Sequence, residues 1–356
     1  MTNPGKVTWP LPAHTRGKHE VLRNYLSAWF PIIGSFSPRL AFIDAFAGPG
    51  EYEGGEPGSP QIALDVFRQA RNAKECTFLF IDENPQVCAH LREILARHPP
   101  PASALVQIEA SDSDARITEL LDSLPEGRQS PPAFVMLDPY GVKGIRMSLI
   151  RGLMASAKTE IYVTFMYEWI DRFKASPEFE PHLDELYGTS QWRNGLGLEG
   201  SDKTRFFLDL FRDQLRAAGA RYVIRFDLYS GNRLVYAIFF ATKHWKGADV
   251  MKQAIWKVAP QGDFAFRDTH RGQMILGPEM MDFTALREGL QKRFRGRGWV
   301  AGEQVEEFVA SGQTDFHTGQ LRKQALVPLE QQALLDVGSP RKRPLTYPPG
   351  TKLRFK

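Results

Sequence analysis

Residues 40–60 read Leu40-Ala-Phe42-Ile-Asp44-Ala-Phe46-Ala-Gly48-Pro-Gly50-Glu-Tyr52-Glu-Gly-Gly-Glu-Pro-Gly58-Ser-Pro60. A short apolar run closed by an acid has the length of a buried strand. Close-set glycines follow, and Ser59-Pro60 opens a helix, with Ser59 as cap and Pro60 in the first turn. Strand, acid, glycine turn and helix is how a doubly wound sheet receives a nucleotide-like ligand. Gly48 and Gly50 let the backbone approach that ligand where a side chain would clash. The string is not GxGxxG, and the stretch from Gly50 to Ser59 is too long for a short phosphate-binding turn, which disfavours a pyrophosphate at the helix start. An unprotonated Asp44 suits an ammonium-bearing ligand instead.

The alternation continues on both sides. Upstream, Leu22, Leu26, Trp29 and Ile33 share one face of a helix over 18–33. Downstream, strands are expected at 76–81, 105–110, 133–137 and 160–166, with helices at 84–97, 114–124 and 145–156 between them. Helical segments then run to Ala218, followed by two consecutive strands, 222–229 and 233–241. This order predicts an α/β protein with a doubly wound, mostly parallel sheet and an antiparallel edge strand. The division expected is an N-terminal helical segment at 1–35, a ligand-binding domain at 36–280 and a basic module at 281–356.

The 356 residues include 24 Phe, 10 Tyr and 7 Trp, ample core for a folded chain of about two domains. No run approaches the roughly 18 apolar residues of a membrane helix, and Met1 to His14 lacks the apolar centre of a secretion signal. Cys76 and Cys88 form neither a disulfide framework nor a zinc site, which suits a reducing cytoplasm. Asp65, His90 and Glu93 are ordinary helix-surface residues, and no metal site is expected. No G-x-S-x-G elbow, H-E-x-x-H or Walker loop is present, so hydrolase, zinc-peptidase and P-loop chemistries lapse.

The net charge of +4 is unevenly spread. From Thr284 to Lys356 there are 13 Lys and Arg against 7 Asp and Glu, whereas the preceding residues carry 32 against 34. The change of character falls at Gly277-Pro278. Helices at 283–293, 302–311 and 317–336 precede a basic β-hairpin, 339–356, turning at Pro348-Pro349-Gly350. Three helices and a basic hairpin suggest a winged helix, and a small helical cap is the alternative. Arg322 and Lys323 on the third helix and Arg341, Lys342 and Arg343 on the wing are candidate phosphate contacts. The same module would equally serve to dock a partner protein.

The other strand ends carry the remaining chemistry. Asp82 closes the second strand beside Glu83, where a carboxylate accepts ribose hydroxyls or caps the next helix. Ser111-Asp112 closes the third strand. The fourth ends in Asp138-Pro139-Tyr140-Gly141, an acid, a rigid carbonyl and an aromatic ring. Such a set would accept the hydrogens of an exocyclic amine and stack the base that carries it. After the fifth strand, residues 165–173 offer aromatics that fit either base stacking or a lid on the core, with Arg172 as a candidate phosphate contact.

D-x-F-x-G-x-G at a strand end resembles motif I of S-adenosylmethionine-dependent methyltransferases. Lys18-His19, the run from Phe42 to Tyr52, Gly58-Ser-Pro60, Ala241-Thr-Lys-His244, Met251, Trp256-Lys257 and Tyr347-Pro-Pro-Gly350 together resemble the three-Cys-motif partner proteins over nearly the whole chain. That family's name refers to cysteines of a protein encoded nearby, similar to radical S-adenosylmethionine enzymes, and its own methyltransferase-like domain has an unsettled substrate. The Lys-His pair, the glycine loop and the late Asp-Pro are also similar to ribosomal-RNA adenine-N6 methyltransferases. The second proline of their D-P-P-Y motif is missing here, and Tyr140 sits one place early. D-P-Y-G is closer to the motif of tRNA guanine-N2 dimethyltransferases.

These resemblances imply a Rossmann-like class I methyltransferase fold and S-adenosylmethionine as cofactor. Lys18, His19, Asp44, Phe46, Gly48, Gly50, Tyr52, Ser59, Asp82, Glu83, Ser111 and Asp112 would surround it. Asp138, Pro139 and Tyr140 would orient the exocyclic amine of a nucleic-acid base. A nucleic-acid-binding protein that serves a radical-enzyme partner without transferring a methyl group is the alternative.

Overall fold

The computed structural model describes residues 7–71, 74–123, 130–141, 143–260, 264–267 and 282–356. Helix α1 (Ala13–Gly34) begins five residues before the expected start and leads into β1 (Arg39–Asp44). There follow α2 (Ser59–Gln69), β2 (Glu75–Asp82), α3 (Pro85–Arg97), β3 (Ala104–Ala110), α4 (Ser113–Asp122), β4 (Ala133–Leu137), α5 (Met147–Ala155) and β5 (Thr159–Phe165). Helices α6 (Tyr167–Phe173) and α7 (Glu180–Tyr187), a 3-10 turn and α8 (Gly200–Ala217) lead to β6 (Tyr222–Ser230) and β7 (Arg233–Thr242). Helix α9 (Trp245–Val258) and strand β8 (Ala265–Arg267) were not expected from the sequence.

Eight strands form one sheet in the order β3-β2-β1-β4-β5-β7-β6-β8. Strands β1 to β5 are mutually parallel, while β7 is antiparallel to both β5 and β6. The expected antiparallel edge strand is therefore an interior one. The β6–β7 turn places β7 between β5 and β6, and β8 pairs parallel with β6 at the edge. This topology is consistent with a Rossmann-like methyltransferase fold.

Strand alternation separates two cores. Phe42, Phe78, Phe80, Phe134 and Phe240 face α1, α2 and α9, with Phe42 and Phe134 stacked at 5.7 Å. Val135, Leu137, Ile161 and Phe239 face the other way, against α5, α7 and α8. Burial of both faces explains why the central strands are continuously apolar.

Helix α10 (Thr284–Phe294), β9 (Val300–Ala301) and α11 (Gly302–Ala310) come next. The long helix expected at 317–336 is instead α12 (Thr318–Leu321), a π turn (Arg322–Leu326) and α13 (Val327–Gln331). Strands β10 (Leu335–Val337) and β11 (Lys352–Phe355) close a second sheet in the order β10-β11-β9. The hairpin pairs Leu335 with Phe355, so its first strand precedes the expected start. Residues 348–351 form a turn before β11, closed by Thr351 N–H to the Pro348 carbonyl at 3.1 Å. Gly277-Pro278 lies outside the described residues.

Helix α9 joins the two parts. Lys252 is fully buried, and its ammonium donates among the carbonyls of Val309, Ser311, Thr314 and Phe316 at 2.5–3.0 Å. Asp249 accepts from the N–H and hydroxyl of Thr318, and Trp256 Nε1 donates to the Asp315 carbonyl at 2.6 Å. One face of one helix thus grips the segment 309–318. Among the described residues no helix is long and apolar enough to cross a membrane.

Candidate active site

Strand order reverses between β1 and β4, and the crevice beyond the carboxyl ends of such strands is where an open α/β sheet binds its ligand. Asp44 ends β1 there, with no solvent exposure. Its Oδ1 accepts the Phe46 N–H at 3.2 Å, while Oδ2 meets no donor at hydrogen-bonding geometry. Burial pushes the carboxyl up to about 7; the nearby Ser59 hydroxyl opposes that rise, and the Asp138 charge adds to it. Ser59 was expected to cap α2. Gly58 holds that position, and the buried Ser59 turns its hydroxyl toward Asp44.

Gly48 and Gly50 both have positive φ, +65° and +87°. A Cβ on Gly50 would lie 2.6 Å from Leu91 Cδ1, whereas nothing lies within 4 Å of one on Gly48. Packing therefore requires a glycine at position 50, whereas Gly48 faces open space. The insertion between Gly50 and Ser59 closes on itself through a Glu51–Pro57 bridge. It then docks on the N-terminal segment, where Tyr52 packs against Trp9 and against His19 at 5.6 Å.

Asp82 ends β2, its Oδ2 accepting the Gly48 N–H at 3.2 Å and its Oδ1 the Asn84 N–H at 2.9 Å. Burial raises its carboxyl pKa. Asn84, not Asp82, caps α3. Glu83 is exposed beside it. After β3, Ser111 N–H donates to the Asp82 carbonyl, and Asp112 caps α4 through the Ala115 N–H at 2.8 Å.

Asp138 follows β4 and pairs with Lys18 of α1 at 2.5 Å, both side chains largely buried. Two contacts hold α1 against the sheet. Tyr162 donates to the Lys18 carbonyl at 3.3 Å, and Tyr25 to the buried Glu160 at 2.6 Å. His19 is held down to about 3, chiefly by burial and then by the Lys18 charge, so its imidazole is neutral at any physiological pH. Pro139 is buried, but Tyr140 is 84% exposed, its ring edge-on to Trp169 at 5.7 Å.

The structure therefore gathers Lys18, His19, Asp44, Phe46, Gly48, Gly50, Tyr52, Ser59, Asp82 and Asp138 at the carboxyl ends of β1, β2 and β4, with Tyr140 exposed two residues beyond Asp138. It adds Tyr236, whose ring lies 5.6 Å below the Lys18 ammonium, and Tyr162. Neither carried a local motif; only the pairing of β5 and β7 brings them to α1. Arg172 is on α6, its guanidinium over the Phe173 ring at 5.1 Å.

On the C-terminal segment, Arg341 is committed to Glu330 and Arg322 donates to the Leu345 carbonyl. Lys323, Lys342 and Arg343 are exposed. Among the described residues no group of three or more metal-ligating side chains gathers.

The sequence matches no family model and no curated protein. Among solved structures, the chain is similar to Trm1 from Pyrococcus horikoshii in complex with S-adenosyl-L-methionine, at 14% identity and a TM-score of 0.37. That match covers 66% of this chain and 58% of Trm1, so the chain spans less than two thirds of it. DszA carbon methyltransferase is similar at 12% identity and 0.40, over 65% of this chain and 55% of DszA. Human methyltransferase-like protein 13, in complex with SAH, is similar at 11% and 0.36, over 67% and 91%. Likeness at this level assigns no family, and the site's own geometry carries the functional reading.

Proposed function

We propose that the protein is an S-adenosylmethionine-dependent methyltransferase acting on an exocyclic amino group of a nucleic-acid base. The observation that carries this reading is Asp44 Oδ2, a fully buried carboxylate oxygen without a donor at the point where strand order reverses. Leaving such a group unpaired is costly, and an ammonium group satisfies both its charge and its lone pairs. Nothing lies within 4 Å of a Cβ built on Gly48, which leaves the backbone beside Asp44 open to a ligand.

When bound, S-adenosylmethionine supplies an electrophilic methyl group on a sulfonium centre. Asp44 holds the ammonium end, with Phe46 and Ser59 fixing the carboxylate. Each Asp82 oxygen has one lone pair left for a ribose hydroxyl. Glu83, Ser111 and Asp112 would border the adenine side, while Lys18 and His19 of α1 and Tyr52 of the insertion after Gly50 would wall the site. Lys18 fixes one oxygen of Asp138; among the described residues no donor reaches the other. That oxygen and the Pro139 carbonyl would accept the hydrogens of the target amine and leave its lone pair free to react. Tyr140 supplies a stacking face for a base that has left its helix.

The C-terminal order of helix, strand, three helices, strand, loop and strand supports a winged helix, which we read as a separate module with Lys323, Lys342 and Arg343 available to phosphates. The resemblance to three-Cys-motif partner proteins adds a partner of radical S-adenosylmethionine type, and the unpaired Cys76 and Cys88 suit a reducing cytoplasm. Asp138→Ala should abolish methyl transfer while leaving cofactor affinity within a few-fold, measured by radiolabel transfer and calorimetry. Equal loss of both would contradict the role given to Asp138. The second reading, a binding protein without transferase activity, draws on the Lys18 pair that already occupies Asp138. It predicts no product from the wild-type protein on any nucleic acid.

A further inference from the structure

Away from the crevice, a cavity of about 350 Å³ lies between the start of β6 and the C-terminal segment. Four arginines from different elements line it: Arg216 in the last turn of α8, Arg221 just before β6, Arg293 in the last turn of α10 and Arg297 beyond it. The lining carboxylate, Glu307, is taken by Arg221 at 2.6 Å and by the Tyr222 hydroxyl. Arg216 also reaches Asp213 at 3.2 Å, at the surface. Among the described residues no carboxylate pairs with Arg293 or Arg297, and both are exposed. A helix dipole favours a cation in the last turn of α8 or of α10. It does not account for four arginines from different elements lining one concave space.

The sheet register locates this cavity relative to the crevice. Val223, in its wall, pairs with Ala241, Ala241 with Ile161, and Ile161 with Val135, three residues before Asp138. Three residues along the strands and three strand spacings across put Val223 on the order of 17 Å from Asp138, with the cavity beyond it toward the amino-terminal end of the parallel strands. A small cofactor in the crevice does not span that distance; a polynucleotide strand does so within a few nucleotides.

We propose that this arginine cavity binds phosphodiester groups of the nucleic-acid substrate, holding the strand at a second point while the reacting base sits at Asp138. Guanidinium forks match phosphate oxygens bidentately, which fits arginine rather than lysine at all four positions. The proposal rests on the nucleic-acid reading of the substrate and adds a site that the chemistry itself does not need.

The test is fluorescence-anisotropy titration of labelled single-stranded RNA and DNA of about 20 nucleotides, from about 50 to about 200 mM salt. Wild-type protein is compared with Arg293→Gln/Arg297→Gln, and pyrophosphate binding is measured on both. Loss of two phosphate contacts should make the slope of log affinity against log salt shallower by about 1.4 and weaken binding roughly tenfold at the lower salt, with an unchanged melting temperature. An unchanged slope in the double variant overturns the cavity proposal alone. Pyrophosphate binding lost in the variant without change in strand binding overturns it in favour of a free phosphate ligand. Failure of the wild-type protein to bind either strand overturns the nucleic-acid reading as well.

Discussion

Replacing Asp44 by asparagine should stabilise the protein increasingly as pH rises, while removing the carboxylate proposed to hold the cofactor's ammonium group. The folded protein holds this carboxyl at about 7 against an ordinary 3.8, mainly because the side chain is buried. Between those values the folded state keeps a proton that the unfolded chain has released, so stability falls as pH rises through that window and levels off above it. The roughly three-unit difference corresponds to about 4 kcal/mol of stability lost by pH 8. By pH 5 about 1.5 kcal/mol of it is already lost, which leaves about 3 kcal/mol between pH 5 and pH 8. Asp44→Asn keeps the shape and the acceptor for the Phe46 N–H but carries no charge. Whatever its stability at pH 5, its advantage over the wild-type protein should therefore grow by about 3 kcal/mol at pH 8. Urea unfolding of both proteins at the two pH values measures this directly. An advantage that does not change with pH would show that Asp44 is already ionised in the folded protein at pH 5, and the account of an uncompensated buried acid would be wrong.

Tyr140→Ala should leave stability within about 0.5 kcal/mol, because the ring is exposed and touches Trp169 only by its edge. The same change should lower kcat/KM for the nucleic acid by roughly 5- to 150-fold, the worth of one base stack. Normal transfer by this variant would remove Tyr140 from the site. Lys252→Met should cost about 3 kcal/mol, since it strands the buried carbonyls of Val309, Ser311, Thr314 and Phe316. Amide exchange across residues 309–318 should speed up with it, and unchanged exchange there would mean that α9 does not hold the C-terminal segment.

Much of this arrangement was legible in the chain because it depends on local chemistry. An apolar run ending in Asp44, a glycine turn that needs positive φ and repeated strand–helix alternation each declare themselves within about ten residues. The tips of β1, β2 and β4 then had to converge, because a doubly wound sheet brings its carboxyl ends to one edge. What was missed depends on partners distant in sequence. Ser59 reads as a cap locally, yet Asp44 draws its hydroxyl away and leaves Gly58 in the capping position. Lys18 reads as a helix residue, and only the packing of α1 across the sheet pairs it with Asp138. The interior place of β7 follows from a β6–β7 turn that returns the chain toward β5, a choice that strand patterning alone does not make. Lys252 and Trp256 lie on an amphipathic helix whose grip on residues 309–318 appears only once both parts are folded. Arg293 and Arg297 lie in the segment whose basic excess the sequence shows, but Arg216 and Arg221, which complete their cavity, come from elements far back in the chain.

Calorimetric titration of the wild-type protein and Asp44→Ala with S-adenosylmethionine tests the central claim most directly. Binding by the wild-type protein that strengthens as pH rises through about 7, as Asp44 gives up its proton, and that is lost in the variant, is the result expected. Absence of binding by the wild-type protein at millimolar cofactor, or undiminished binding by the variant, would contradict it.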